Sequence, residues 1–310
     1  MKIPKFWIRV KQTGKFPDGK SFEILQYGCS DESLERARED GEQRATELVE
    51  KLSKGNRLRS FSPRGDYALA RPIREEIISN NSLHNARIVI TRNAYGAKVL
   101  NTDRIMFIDV DLARHFPGFD LLTHLVAFFK KIMMDDVARA RTARTGQKQV
   151  PTLATNSEQE RKVVNYLESY CKRNPEFGVR IYRTKAGMRL LVTHTFFVPE
   201  AKDTQNLMDE LGVDPLYAHI CQTQQCFRAR LDPKPWRCGY KRPKVRYPYE
   251  KQEEEIFKIW LAEYESKKAN FRTCEYLGAL GNCKIPNEIS TCICLHDEES
   301  GALGLNLKLA

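Results

Sequence analysis

The stretch RIMFIDVDL, residues 104–112, is an apolar run that carries two aspartates. Read as a strand, it places Asp109 and Asp111 on one face with Phe107, while Met106, Ile108, Val110 and Leu112 point to the other. Carboxylates set side by side repel one another. They are tolerated best with a cation, or several cationic side chains, between them.

Upstream, ARIVITR and AKVLNT are separated by Asn93-Ala94-Tyr95-Gly96, so three strands are expected close together. Downstream, a helical region over about 119–144 precedes the polar segment 145–157, expected to be mobile, and then a helix over about 158–173. Next come VRIYRT and MRLLVTH, joined by Lys185-Ala186-Gly187 as a tight hairpin. The N-terminal KFWIRVK and SFEILQYG form another hairpin around Pro17-Asp18-Gly19. A helix from about Glu32 to Ser53 follows, capped by Ser30 or Asp31 and ended by Gly55, and residues 55–72 read as an irregular basic loop. Helices near 203–211, after Asp214-Pro215, and near 251–268 precede a helical or irregular tail. The fold class is α+β: a mixed or antiparallel central sheet backed by helices in a core spanning 1–249, with a smaller helical C-terminal part over 250–310.

At 310 residues the chain can bury a substantial core without staples. Its 41% hydrophobic and 29% charged content describes an ordinary soluble protein, with no apolar run long enough to cross a bilayer. The start MKIPKFWIRVKQ lacks the apolar region of a signal peptide, so the expected location is cytoplasmic and no membrane partner is expected. Nine cysteines without compact spacing are expected to be reduced.

The formal charge of +11 favours a polyanionic partner. Residues 221–250 concentrate it, interleaving Arg228, Arg230, Lys234, Arg237 and further cations with Phe227, Trp236, Tyr240, Tyr247 and Tyr249. Such a segment is either a solvated loop or a surface for DNA or RNA, single strands above all, where cations meet phosphates and Trp236 or Tyr240 stacks on a base. In CFRARLD, Arg228 and Arg230 share one strand face; the prolines around Lys234 stiffen the turn that presents Lys234, Trp236 and Arg237.

Two aspartates one residue apart on a strand are a common way to hold Mg²⁺ or Mn²⁺ against phosphates, and replacing both by Ala is expected to remove the ion and keep the fold. They equally suit a strand end whose acids pair with Arg side chains. A haloacid dehalogenase-type phosphatase would want Thr or Ser soon after the second Asp, where this chain has Leu112-Ala113-Arg114. A polymerase-β-type transferase would want an upstream Gly-Ser, and a glycosyltransferase an upstream nucleoside-binding sheet. Arg183, Lys185 and Arg189 flank a tight turn and could gather around a phosphate or stay solvated. Cys221, Cys226 and Cys238, with His219 nearby, form a possible Zn²⁺ set, and Cys292-x-Cys294-x-His296 another; buried thiols are the alternative. His296-Asp297 resembles the pair of metal-dependent hydrolases, which need further His and Asp residues.

Over residues 86–235 the chain resembles the archaeo-eukaryotic primase and primase-polymerase superfamily. FIDVDL matches its Asp-x-Asp strand, IYRTKAGMRLLVTH its later hairpin, and ARLD, ending at Asp232, its third acidic strand end. The resemblance implies an RRM-like primase sheet and metal-dependent nucleotidyl transfer, with Asp109, Asp111 and Asp232 catalytic and a nucleoside triphosphate as substrate. Where that family carries Ser and His, this chain offers Ala186 or Gly187, and Arg189; a guanidinium can bind a triphosphate but cannot act as a neutral imidazole. Across its length the chain also resembles a family of uncharacterised bacterial proteins, through VITRNAYGAKVLNT, FIDVDL, IYRTKAGMRLL, CFRARLDPKPWRCG and LHDE, which implies a shared architecture and no activity. The expected function is a metal-dependent nucleotidyltransferase or related phosphate-ester enzyme. In that reading Arg183, Lys185, Arg189, Arg228 and Arg230 bind triphosphate or strand backbone. The alternatives are a non-catalytic nucleic-acid-binding protein on the same fold, or a basic surface that meets an acidic protein.

Overall fold

The computed structural model describes residues 1–56, 72–112 and 153–310. The helix expected over 119–144, most of the 55–72 loop and of the 145–157 segment, and the side chain of Asp111 lie outside the described residues. Those described form an α+β fold with antiparallel main sheets.

At the N-terminus, β1 (Phe6–Lys15) and β2 (Ser21–Ser30) pair antiparallel around the expected turn, where Asp18 Oδ1 accepts the Lys20 N–H at 3.1 Å. Across this hairpin lies α1 (Leu34–Ser53), whose buried stripe is Ala37, Gly41, Ala45 and Leu52. Its cap is Ser33, taking the Arg36 N–H at 3.1 Å, while Ser30 caps the preceding turn through the Glu32 N–H. The packing is close because Gly28 has no side chain: a Cβ there would sit 1.9 Å from the Ala37 carbonyl oxygen.

One four-stranded sheet runs β3 (Glu76–Ser82), β4 (Arg87–Arg92), β5 (Lys98–Thr102), β9 (Phe227–Arg230). The other runs β11 (Cys274–Gly281), β7 (Gly178–Thr184), β8 (Gly187–Val192), β6 (Phe107–Asp111). A short parallel pair, β10 (Phe271–Arg272) with β12 (Lys308–Leu309), closes the C-terminus. The helices are α2 (Glu158–Arg173), α3 (Lys202–Glu210), α4 (Pro215–Gln224), α5 (Lys251–Lys268) and α6 (Asn287–Ser300).

The two-aspartate strand therefore does not lie in one sheet with ARIVITR and AKVLNT. A tight turn intervenes, in which Thr102 Oγ1 accepts the Ile105 N–H at 2.8 Å and donates to the Ile105 carbonyl at 2.7 Å. It delivers β6 to the second sheet, where its apolar face finds cover. Met106, Ile108 and Val110 pack with β7 and β8 residues against Val164 and Leu167 of α2 and Ala218 and Cys221 of α4. On the opposite face, Phe107, Tyr182 and Leu191 meet Ile88, Ile90 and Leu100 of the first sheet and Ile289, Cys292 and Ile293 of α6. Each fully buried side chain of this kind contributes about 2 kcal/mol. The alternation expected from RIMFIDVDL is thus the one that separates the two cores.

The C-terminal part carries the expected helix α5, and what the sequence reading left as a helical or irregular tail supplies both α6 and a strand. That strand, β11, pairs with β7 and so shares a sheet with Asp109.

Candidate functional site

Strands β6 and β9 are edges of their respective sheets, and they face one another. Two side chains tie them. Tyr217 of α4 has its hydroxyl 2.8 Å from the Phe107 carbonyl and 3.1 Å from that of Arg228, and it accepts the Arg228 N–H at 3.2 Å. Arg189 of β8 donates from Nη1 to the Arg230 carbonyl at 2.8 Å.

Register sets Asp109 directly across from Arg189, and Arg189 across from Tyr182. Arg189 Nε meets Asp109 Oδ1 at 2.8 Å and Nη2 meets Oδ2 at 3.2 Å, a two-pronged ion pair. Arg189 is 1% exposed on its side chain and Asp109 is 45% exposed, so the pair is anchored from within and open on its carboxylate side. Burial on its own would raise the Asp109 carboxyl, but the charge and hydrogen bonds of Arg189, with Arg230 and His296 behind, hold it below its ordinary value.

A charged chain continues inward. His296 Nε2 lies 3.3 Å from Arg189 Nη1, and its Nδ1 lies 3.0 Å from Asp297 Oδ1. Arginine only donates, so Nε2 accepts and Nδ1 carries the proton toward Asp297. Asp297 in turn holds Arg180 at 2.6 Å. Desolvation lowers the His296 pKa from its ordinary 6.5, the Asp297 hydrogen bond opposes this, and the charge of Arg189 adds to the lowering.

This neutral, buried imidazole sets a pH dependence. Because the folded value lies below the unfolded one, the unfolded state takes up the proton first, and stability is lost as pH falls below about 6.5. Asp109 and Asp297, both lowered in the folded state, add a further loss below their ordinary 3.8. Thermal melts from pH 8 to 4 should show a first decline that His296→Gln, which can keep a donor and an acceptor, flattens. An unchanged first decline in that variant would remove His296 as its source.

The remaining expected residues fall in several places. Asp111 stands opposite Gly187 at the end of β6. Asp232 is 2% exposed, paired with Lys268 at 2.6 Å, and accepts the Lys98 N–H at 2.8 Å. Among the described residues, no three His, Cys, Asp or Glu side chains converge as a metal-holding group. Lys185 is exposed at its turn, but Arg183 is spent inside the fold on Glu160, Glu275 and the Ala154 carbonyl. Arg228 places one terminal nitrogen 2.7 and 2.6 Å from the two oxygens of Glu75.

The zinc set is not assembled. Cys221 and Cys226 lie near one another at the end of α4, but Cys238 packs with Phe257, Trp260 and Tyr264, and His219 is exposed. Burial pushes the Cys226 thiol up to about 11. In the second set Cys294 is exposed while Cys292 and His296 are buried, and all nine cysteines are free thiols.

In the basic segment, Tyr240 packs on Trp260 with centroids 5.8 Å apart and donates to Glu263, which leaves it a structural role. Trp236 remains 41% exposed. The Arg242 guanidinium lies 4.4 Å from its ring centroid, Lys234 lies 5.5 Å away, and Tyr95 meets it edge-on at 5.3 Å. The turn that brings Tyr95 there depends on Gly96, at φ +80°, against which the Trp260 ring packs.

Sequence reasoning missed the connection of His296 to Arg189 and the role of Tyr217. Neither had a local signal, since His296 lies 107 residues from Arg189 and Tyr217 lies 110 from Phe107. The chain matches no family model, no curated protein and no solved structure in comparisons with known proteins. No helix among the described residues is long and apolar enough to cross a membrane.

Proposed function

We propose that the protein acts on phosphate esters of nucleic acid or nucleotides as a metal-dependent nucleotidyltransferase of primase-polymerase type, with its site where β6, β8 and β9 meet. The observation that supports this is Asp109: an ionised, part-exposed carboxylate on a sheet edge, held in orientation by a buried arginine of the neighbouring hairpin. A carboxylate whose inner lone pairs are taken by Arg189 still has outward ones for a cation. Asp109, with Asp111 two residues on, would hold Mg²⁺ or Mn²⁺, which when bound neutralises charge developing on a transferred phosphate. Arg189 orients Asp109, and this role replaces the direct triphosphate contact expected of it.

Calorimetric titration with Mn²⁺ tests the reading. Wild type should bind, and Asp109→Asn with Asp111→Asn should not; equal affinity in both would defeat the metal assignment.

A second reading, a nucleic-acid-binding protein without catalysis, is favoured by the exposed Trp236 beside Arg242. It requires single-strand affinity that falls steeply with salt and is indifferent to divalent ions.

A further inference from the structure

Arg228 and Arg230 share a strand face and a residue type, yet the fold treats them differently. Arg228 is neutralised by Glu75. Arg230 has neither a hydrogen bond nor an ion pair from its guanidinium to the described residues, and its Nε is buried with no partner. Its electrostatic neighbours make the position worse for a cation. Burial first, then the charge of Arg189, push it down to about 10; Arg237 adds to this and Asp109 offsets it only in part. Asp109 is already engaged by both prongs of Arg189. A half-buried cation with no counter-ion among the described residues is costly, and mutual repulsion between guanidinium groups raises that cost.

We infer that Arg230 is the receptor of a single anionic subsite, taking a phosphoryl group at the edge strand β9 where it faces β6. The paired terminal nitrogens of the guanidinium, which unlike Nε are not among its buried atoms, offer two parallel donors that match two oxygens of a phosphate. An oxyanion able to carry more than one negative charge gains more from the combined fields of Arg230, Arg189 and Arg237 than a carboxylate does. The group would be carried by a nucleotide or by a strand backbone, and this part of the inference rests on the function proposed above. The subsite itself stands on a guanidinium unpaired among the described residues.

The position also separates two tasks that the sequence reading gave jointly to Arg228 and Arg230. Arg228, bound to Glu75, ties β9 to the residue that precedes β3, across the sheet. Arg230 is left for the ligand.

The experiment is a thermal melt of the full chain with inorganic phosphate, tripolyphosphate or acetate at matched ionic strength, without metal. Wild type should gain melting temperature with phosphate and more with tripolyphosphate, but not with acetate. Arg230→Gln should need at least about ten-fold more of either for the same shift, while its ligand-free melt should not fall, because an uncompensated charge has been removed. Arg230→Lys should respond in between. Arg228→Gln should lower the ligand-free melt and keep the phosphate response. An Arg230→Gln response equal to wild type, an equal response to acetate, or no response of wild type overturns the subsite. Mn²⁺ titration of the same proteins keeps the two readings apart: Mn²⁺ binding without the phosphate response defeats only the subsite, and the reverse defeats only the metal assignment.

Discussion

Asp109→Ala should lower stability by about 2–3 kcal/mol, a fall in melting temperature of roughly 3–5 °C for a chain of this size. Arg189 is 1% exposed on its side chain, and without the carboxylate two of its donors have no partner and its charge has no counter-ion. The expected loss is set below the range for fully buried pairs because Asp109 is 45% exposed, so water can replace part of what it supplies. The double alanine variant is still expected to fold, with this loss of stability. Carboxylate repulsion is the smaller term, since Arg189 already answers it. Pairing Asp109→Ala with Arg189→Met should recover part of the loss, because the stranded charge goes too. A single Asp109→Ala variant melting with wild type would mean that the pair carries no stability.

Arg183→Met should cost about 3 kcal/mol or more while leaving phosphate and nucleic-acid affinity unchanged. Its guanidinium, 9% exposed, holds Glu160 through two bonds of 2.8 and 3.1 Å, donates to the Ala154 carbonyl at 2.8 Å, and also pairs with Glu275. Glu160 is itself 7% exposed on its side chain, so removing the arginine strands a carboxylate that water reaches poorly. Stability should therefore fall most above the range where Glu160 can be protonated, and Arg183→Met with Glu160→Gln should regain part of it. Chemical denaturation beside a nucleic-acid titration separates the outcomes. A variant that keeps its stability but loses affinity would return Arg183 to the ligand site.

These results mark how far the sequence reading reaches. It places β1, β2, α1, α2 and the β7–β8 hairpin, because each announces itself within a few residues through periodicity, a cap or a turn. It misses β3, whose NNS end lacks the alternation of a half-buried strand, and β11, whose Gly278 at φ +152° coincides with a bulge in the pairing with β7. For the candidate site, it finds Asp109 and Arg189 but not their pairing, and it gives Arg183 and Arg228 a ligand role that internal carboxylates occupy.

The amino-acid sequence by itself determined the α+β class, the facing of RIMFIDVDL, and the concentration of positive charge over 221–250. All three follow from side-chain alternation, helix periodicity and composition, which act over short distances along the chain. Only the tertiary structure decided which sheet receives β6, that Tyr217 and Arg189 tie the two sheet edges, and which arginines are neutralised. A count of charges is blind to this last point. Glu75 meets Arg228 across 153 residues, Asp109 meets Arg189 across 80, and no carboxylate among the described residues pairs with the Arg230 guanidinium. A cation's role depends on the counter-ion that folding brings within hydrogen-bond reach, and that distance is set by how the sheets pack rather than by the spacing of residues along the chain.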